Sequence, residues 1–289
     1  MNLDRVAAAP ISWGVCEVPG WGHQMAADRV LREMAGLGLS ATEFGPDGFL
    51  PGDPRDRAAL LGRHGMRAVG GFVPLVLHDP AADPVPVVRE TLRDFTAAGA
   101  DTLVLAAATG LDGYDTRPVL DSTGWRTLLA RLDRLNALAA EAGVTAALHP
   151  HVGTMVEGPQ EVDRVLDGSD IGLCLDTGHL LIGGTDPVRL AGRASSRVVH
   201  VHLKDVDLDA ARALRAGLTP GYGDAVATGL YRPLGRGGID LTTLVDTLEG
   251  AGYRGWYVME QDVVLTTEPP AEAGPLTGVR ASLDWLRGR

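Results

Sequence analysis

Five times along this chain a glycine closes an amphipathic stretch and an apolar, β-rich run follows: GLGLSATEF (36–44), RHGMRAVGGF (63–72), AAGADTLVLAA (97–107), EAGVTAALH (141–149) and GAGYRGWYVME (250–260). Glycine at that place takes the left-handed conformation that ends a helix and hands the chain to a strand. Val6 to Trp13, Ile171 to Asp176 and Val198 to Leu203 raise the count to about eight strands, with helices of roughly 10 to 20 residues between them. Eight βα units in 289 residues predict an α/β protein closed into a (β/α)8 TIM barrel, a single domain over 1–289. An open doubly wound sheet would carry a glycine-rich phosphate loop after its first strand, but Trp13 to Gly22 reads WGVCEVPGWG. One long irregular stretch, roughly 206–238, follows the seventh strand and holds a short helical piece from Asp209 to Ala216. In a barrel it is expected above the catalytic face, as a lid or pocket wall.

Charge narrows the partners. A formal net charge of −11 without any basic cluster argues against nucleic acid and anionic membrane surfaces, and for a small neutral or metal-chelated ligand. With 45% hydrophobic residues the chain can bury a large core, yet no apolar run approaches the ~18 residues of a membrane span. The N-terminus MNLDRVAAAPISWG lacks the charged and apolar regions of a signal peptide, and the two cysteines, Cys16 and Cys174, form no disulfide framework. A cytoplasmic protein is the expectation.

Functional groups of a TIM barrel sit at the C-terminal ends of its strands. Strand five ends in LHPHVGT with His149 and His151, and strand six in GLCLDTGH with Asp176 and His179. Strand seven ends in VVHVHLKD with His202, Lys204 and Asp205, and strand eight in WYVMEQD with Glu260, Gln261 and Asp262. Each residue has an ordinary alternative. Asp176 could cap the following turn, His200 or His202 could belong to the core, and Glu260 could pair with an arginine. Jointly they say more: five of the 8 histidines lie between 149 and 202, four of them at strand ends. Mixed nitrogen and oxygen donors suit Mn2+, Co2+, Fe2+ or Zn2+, and the lack of cysteine ligands argues against a closed structural zinc site.

The motifs LHPHVGT, CLDTGHLLIGG, HVHLKDV and GWYVMEQD, with the early APISWG and MAGLGLSATEFG, resemble the inosose (2-keto-myo-inositol) dehydratases of the xylose isomerase-like barrel superfamily. The resemblance spans nearly the whole chain. It implies one divalent ion, Mn2+ or Co2+ first and Fe2+ or Zn2+ after them, held by His149, Asp176, His202 and Glu260. It also implies His151 and His179 facing substrate, with Lys204 beside them. The superfamily's epimerases and isomerases usually place a glutamate where this chain has His149. The H-x-H-x-G-T form is the one the inosose dehydratases carry.

The expected reaction is therefore loss of water from a polyhydroxy ketone: α-proton removal, a metal-stabilised enolate, and departure of the β-hydroxyl. Glu260, His151 and His179 are candidate bases and acids, and Lys204 would support developing negative charge. Trp13 and Glu43, at the ends of strands one and two, are expected to bind substrate. Arg232 in YRPLGRGG is a further substrate-binding candidate, as a phosphate cradle or, more simply, as part of the lid. A metal-dependent sugar or sugar-phosphate isomerase or epimerase is the alternative. Other eliminations of the superfamily, on dehydroshikimate or keto-glycosides, and a metal-free sugar-binding barrel rank below it. Barrels of this kind often pair, so a homo-oligomer is also expected.

Overall fold

The computed structural model describes residues 2–289. All five predicted capping glycines are left-handed, with φ of +83° at Gly38, +67° at Gly65, +79° at Gly99, +72° at Gly143 and +85° at Gly252. In chain order the strands are β1 (Val6–Ala8), β2 (Ala41–Thr42), β3 (Arg67–Ala68), β4 (Gly70–Leu75), β5 (Thr102–Ala107), β6 (Thr145–Leu148), β7 (Gly172–Asp176), β8 (Val198–Leu203), β9 (Asp205–Val206), β10 (Tyr231–Arg232) and β11 (Tyr257–Met259). Nine of them form one parallel sheet in the order β3-β2-β1-β11-β8-β7-β6-β5-β4. Its two end strands are halves of a single strand interrupted at Val69. The Val69 N–H donates to Thr42, and its carbonyl accepts from Asp101 and Thr102. The sheet thus closes on itself as the eight-stranded barrel. The crossing is tight: a Cβ on Gly70 would lie 2.1 Å from the Thr102 carbonyl oxygen, so only glycine fits there.

The helices are α1 (Ala27–Gly36), α2 (Pro54–Arg63), α3 (Val85–Ala98), α4 (Ser122–Glu141), α5 (Pro159–Gly168), α6 (Thr177–Gly183), α7 (Pro187–Ala194), α8 (Leu208–Arg215), α9 (Tyr222–Ala227), α10 (Leu241–Gly250) and α11 (Pro275–Arg287). The longest, α4, shows how they dock. Asp121 caps it by accepting from the Thr123 and Gly124 N–H groups, and Leu128, Leu132, Leu135 and Ala139 recur every three or four residues on its buried face. Truncating one such leucine to alanine removes about 2–5 kcal/mol by the usual cavity cost.

Strand alternation decides what fills the barrel. On β6 the outward Ala146 and Leu148 join the main core under the helices, while Ala147 points inward. Two residues further on, the same inward face carries His149, then His151. The other strands repeat this step: Cys174 to Asp176 on β7, His200 to His202 to Lys204 on β8, Val258 to Glu260 to Asp262 on β11, and Ala41 to Glu43 on β2. Small side chains such as Ala7, Ala9, Ala41, Val69 and Val258 pack the floor, and the ionisable groups form the layer above.

The segment 206–238 is more ordered than its sequence suggests. It holds α8 and α9, and β10 pairs antiparallel with β9. Val206, Ala211, Tyr222, Val226, Leu230 and Tyr231 form a second apolar cluster with Trp21 and Val152 from the loops after β1 and β6. The six-residue α9, YGDAVA, is too short and glycine-interrupted to show a helical period. Among the described residues no helix is long and apolar enough to cross a membrane.

Candidate active site

Asp176 shows how the fold splits one side chain between two tasks. It is the N-cap of α6, and its Oδ1 accepts from the Gly178 and His179 N–H groups, both at 2.8 Å. That cap fixes the carboxylate plane and leaves Oδ2 for the site. Oδ2 lies 3.2 Å from His149 Nε2, 3.5 Å from His202 Nδ1 and 3.3 Å from Lys204 Nζ. His202 Nδ1 lies 3.4 Å from Glu260 Oε2.

The His149 contact is a hydrogen bond, but the two His202 spacings fit a cation better than they fit hydrogen bonds. Atoms each about 2.1 Å from one ion sit roughly 3.0 Å apart at octahedral angles and 3.4 Å apart at tetrahedral ones. Moreover, His202 Nδ1 is buried and has no hydrogen-bond partner, although it faces two carboxylate oxygens. Ligand atoms of Asp176, His202 and Glu260 lie within 4.8 Å of one another, as do those of His149, Asp176 and His179. Asp176 joins the two triads. Cys174 lies near His149 and His202, but burial pushes its thiol up to about 11, which keeps it protonated.

Lys204 closes the constellation. Its Nζ is 2.9 Å from Glu260 Oε2, 3.0 Å from Asp262 Oδ1 and 3.0 Å from His179 Nε2. The Thr177 hydroxyl donates to the Lys204 carbonyl and accepts from its N–H, which fixes the backbone there. Burial opposes a charge on Lys204, but Asp176, Asp262 and Glu260 lift its pKa well above the ordinary lysine value. Burial likewise opposes ionisation of Asp176, yet Lys204 and the imidazoles hold it well below the usual carboxylate range. Burial raises Glu260 to about 7, lowers His149 to about 4, and takes His151 and His179 well below the ordinary histidine value. At His202 burial works against charge, but the carboxylates of Glu260, Glu43 and Asp176 raise its proton affinity well above that of an ordinary histidine. The pocket draws positive charge to that position.

A cavity of about 800 Å3 opens over this layer. His149, His151, His202, Lys204 and Glu260 line it, so five of the predicted metal-binding and catalytic residues reach one space. His179 does not. His179 stands behind His151, with ring centroids 3.7 Å apart, and takes its hydrogen bond from Lys204. Glu43 lies at the cavity wall, but its Oε1 is taken by His200 and His202 at 2.8 and 3.0 Å.

Two predicted substrate-binding residues fall elsewhere. Trp13 is fully buried in the main core, and its Nε1 donates to Glu33 of α1 at 2.8 Å; strand one bends into a short 3-10 helix at Pro10–Trp13, which turns the ring away. Arg232 is exposed on β10 and pairs with Asp207 at 2.9 Å. Nor does the adjacent GRGG cradle a phosphate. The Asp205 carboxylate accepts from the Gly235, Gly237 and Ile239 N–H groups, and a Cβ on Gly237 would lie 2.3 Å from its Oδ1. That loop is folded around an internal anion.

Three residues without a role in the sequence reading stand beside these groups. Asp262, read from the sequence only as one of the polar residues ending strand eight, follows Glu260 by two positions and so shares its inward face. Tyr222 reaches the cavity from α9 and donates to Asp262 Oδ2 at 2.9 Å, a contact no local pattern signals. His200 shares the inward face of β8 with His202.

The family model described as xylose isomerase-like TIM barrel matches residues 31–289. The rhizopine catabolism protein MocC of Rhizobium meliloti is 34% identical over 290 residues, covering 94% of this chain and 84% of that protein. An inosose dehydratase of Geobacillus kaustophilus is 30% identical over 304 residues, covering 99% and 94%. Among solved structures, a xylose isomerase domain-containing protein of Salmonella typhimurium superposes with a TM-score of 0.70 at 18% identity, over 99% of this chain and 98% of that one. The IolI protein, solved with a binding zinc atom, gives 0.67 at 13% identity over 98% and 97%. At these identities the structural likeness bears on the fold.

Proposed function

The chain belongs to the xylose isomerase-like TIM barrel family, and from that premise we propose that it is a divalent-metal-dependent hydro-lyase that removes water from a keto-cyclitol, with 2-keto-myo-inositol (inosose) the foremost substrate. The observation that carries this reading is the orphaned Nδ1 of His202, facing Asp176 and Glu260 at coordination-edge spacing. Full-length similarity to inosose dehydratases supports the substrate class. His149, Asp176, His202 and Glu260 would hold the ion, and their two imidazoles and two carboxylates suit Mn2+ or Co2+. When bound it supplies Lewis acidity toward the substrate carbonyl.

The chain's own groups divide the proton work. His151 Nδ1 contacts the Val152 carbonyl at 2.7 Å, and since a carbonyl only accepts, the proton is on Nδ1. Nε2 then carries the lone pair, and burial keeps the ring neutral. His151 is thus the base for the α-proton. Lys204 presents its ammonium where negative charge collects on substrate oxygen. The departing hydroxyl needs a proton, and the donors gathered around Asp262 are Lys204 and the Tyr222 phenol. His179 positions both arms, packing against the His151 ring and bonding Lys204. Loss of the β-hydroxyl next to a hydroxyl-bearing α-carbon leaves the enol of a 1,2-diketone.

An epimerase would need a base on each face of its substrate. Here the strand-five position is His149, Glu260 and Asp262 come from one strand end, and Glu43 across the barrel has its Oε1 bound by His200 and His202. Both cysteines are free thiols, which agrees with a cytoplasmic setting. The test is incubation of Mn2+-loaded protein with 2-keto-myo-inositol, following diketone absorbance beside a chelator-treated control. A metal-dependent rise is expected. A keto-sugar isomer by NMR, with no diketone, would move the assignment to the isomerase.

A further inference from the structure

We propose that Glu43, steadied by His200, is a positioning residue that fixes the tautomer of His202 and so delivers the Nδ1 lone pair to the metal position. The proposal rests on the metal reading above. Neither Glu43 nor His200 has a task in the proton chemistry, yet both are buried, at 3% and 0% exposure. Glu43 follows β2, and its Oε1 meets the Nε2 atoms of His200 and His202 at 2.8 and 3.0 Å. Strands β1 and β11 lie between β2 and β8 in the sheet. Their inward side chains at this level, Ala7, Ala9 and Val258, are small, and they leave the space through which the glutamate crosses the barrel.

An imidazole that donates to a carboxylate from Nε2 carries its proton there, so Nδ1 is left to offer a lone pair. That atom of His202 faces Asp176 and Glu260 without a partner. Two carboxylate oxygens face that atom, so a cation belongs between them: a proton on Nδ1 when no ion is bound, and the ion in its place when one is. His200 adds a constraint of its own. With two N–H groups on one oxygen, Glu43 cannot swing inward to become a ligand, and it stays in the outer shell where it orients His202. Buried carboxylate partners of ligating histidines have this effect on metal sites, and losing one costs about 10–100-fold in metal affinity.

Cd2+ titration by chelator competition tests this on the wild type, Glu43→Ala and Glu43→Gln, together with 15N-histidine spectra of Cd2+-loaded wild type. Expected are coordination of His202 through Nδ1 with Nε2 protonated, Cd2+ binding weakened on the order of 10–100-fold in Glu43→Ala, and partial recovery in Glu43→Gln, whose amide oxygen still accepts. Coordination through Nε2, or Glu43→Ala binding within about twofold of wild type, would overturn it. If Glu43→Ala does not fold, the wild-type spectrum still decides. A wild type that binds no Cd2+ removes the metal reading and this inference together, whereas tight binding insensitive to Glu43 removes the inference alone.

Discussion

The imidazoles of His151 and His179 pack with centroids 3.7 Å apart and planes tilted by 32°, and of the two only His151 lines the cavity. The proposed function assigns chemistry to His151 and positioning to His179. His151→Ala should lower kcat by about 10²–10⁴-fold, the range for a general base, with metal content unchanged. His179→Phe keeps a ring behind His151 but loses the Lys204 bond, so its loss should be smaller. Steady-state kinetics with metal analysis of both variants checks this; equal losses would place His179 in the chemistry.

Asp176 allows capping and charge to be separated. Asp176→Asn retains an oxygen for the Gly178 and His179 N–H groups and removes the carboxylate facing His149, His202 and Lys204. The variant should fold, and the thermal stabilisation by Mn2+ should vanish. In wild type, metal at 100 times its Kd is worth about 2.7 kcal/mol. Thermal melts with and without metal measure it, and a metal-stabilised variant would count against Asp176 as a ligand.

Asp205 is buried and binds the backbone of its own loop and of 235–239. Asp205→Ala strands the buried Val206 N–H and frees the more exposed N–H groups of Gly235, Gly237 and Ile239 to water, so it should cost about 1–3 kcal/mol, the penalty of a buried unsatisfied donor. Urea unfolding gives the loss. Hydrogen exchange should rise first at Gly235, Gly237 and Ile239, and unchanged protection there would refute the anchoring role.

Cys16 lines the cavity, but its thiol is a poor nucleophile at neutral pH. Burial first, then the neighbouring Glu17 charge, pushes its pKa above the ordinary cysteine value, so the thiolate fraction at pH 8 is below that of a free cysteine. Iodoacetamide should label Cys16 slowly at pH 8 and faster as the pH rises toward 10, with substrate protecting it. Peptide mass spectrometry follows the rate. Labelling at pH 8 as fast as free cysteine would sink the prediction.

Trp13 and Arg232 should not touch substrate. Trp13→Phe loses the bond to Glu33 and should cost about 1 kcal/mol, a typical hydrogen-bond contribution, with KM unchanged. Arg232→Ala, at an exposed pair, should alter neither stability nor KM appreciably. A severalfold rise in KM for either would return it to the site.

By itself the sequence determined the barrel and most of the polar layer. Helix-ending glycines are local signals, readable because only glycine adopts the left-handed cap without strain. The strand-end residues are readable for a similar reason: with a period of two, the inward face of a strand continues into the residues just after it, so His149, Asp176, His202, Lys204 and Glu260 stand among the expected strand-end groups. The choice of His149, Asp176, His202 and Glu260 as ligands came from the family resemblance. Tertiary structure alone decided how these groups share the work. Glu43 bonds His202 across 159 residues, Tyr222 meets Asp262 across 40, and Trp13 turns away because Glu33 and the core receive it. Such contacts depend on which side chains across the barrel are small enough to leave a path, and no window of neighbouring residues records that.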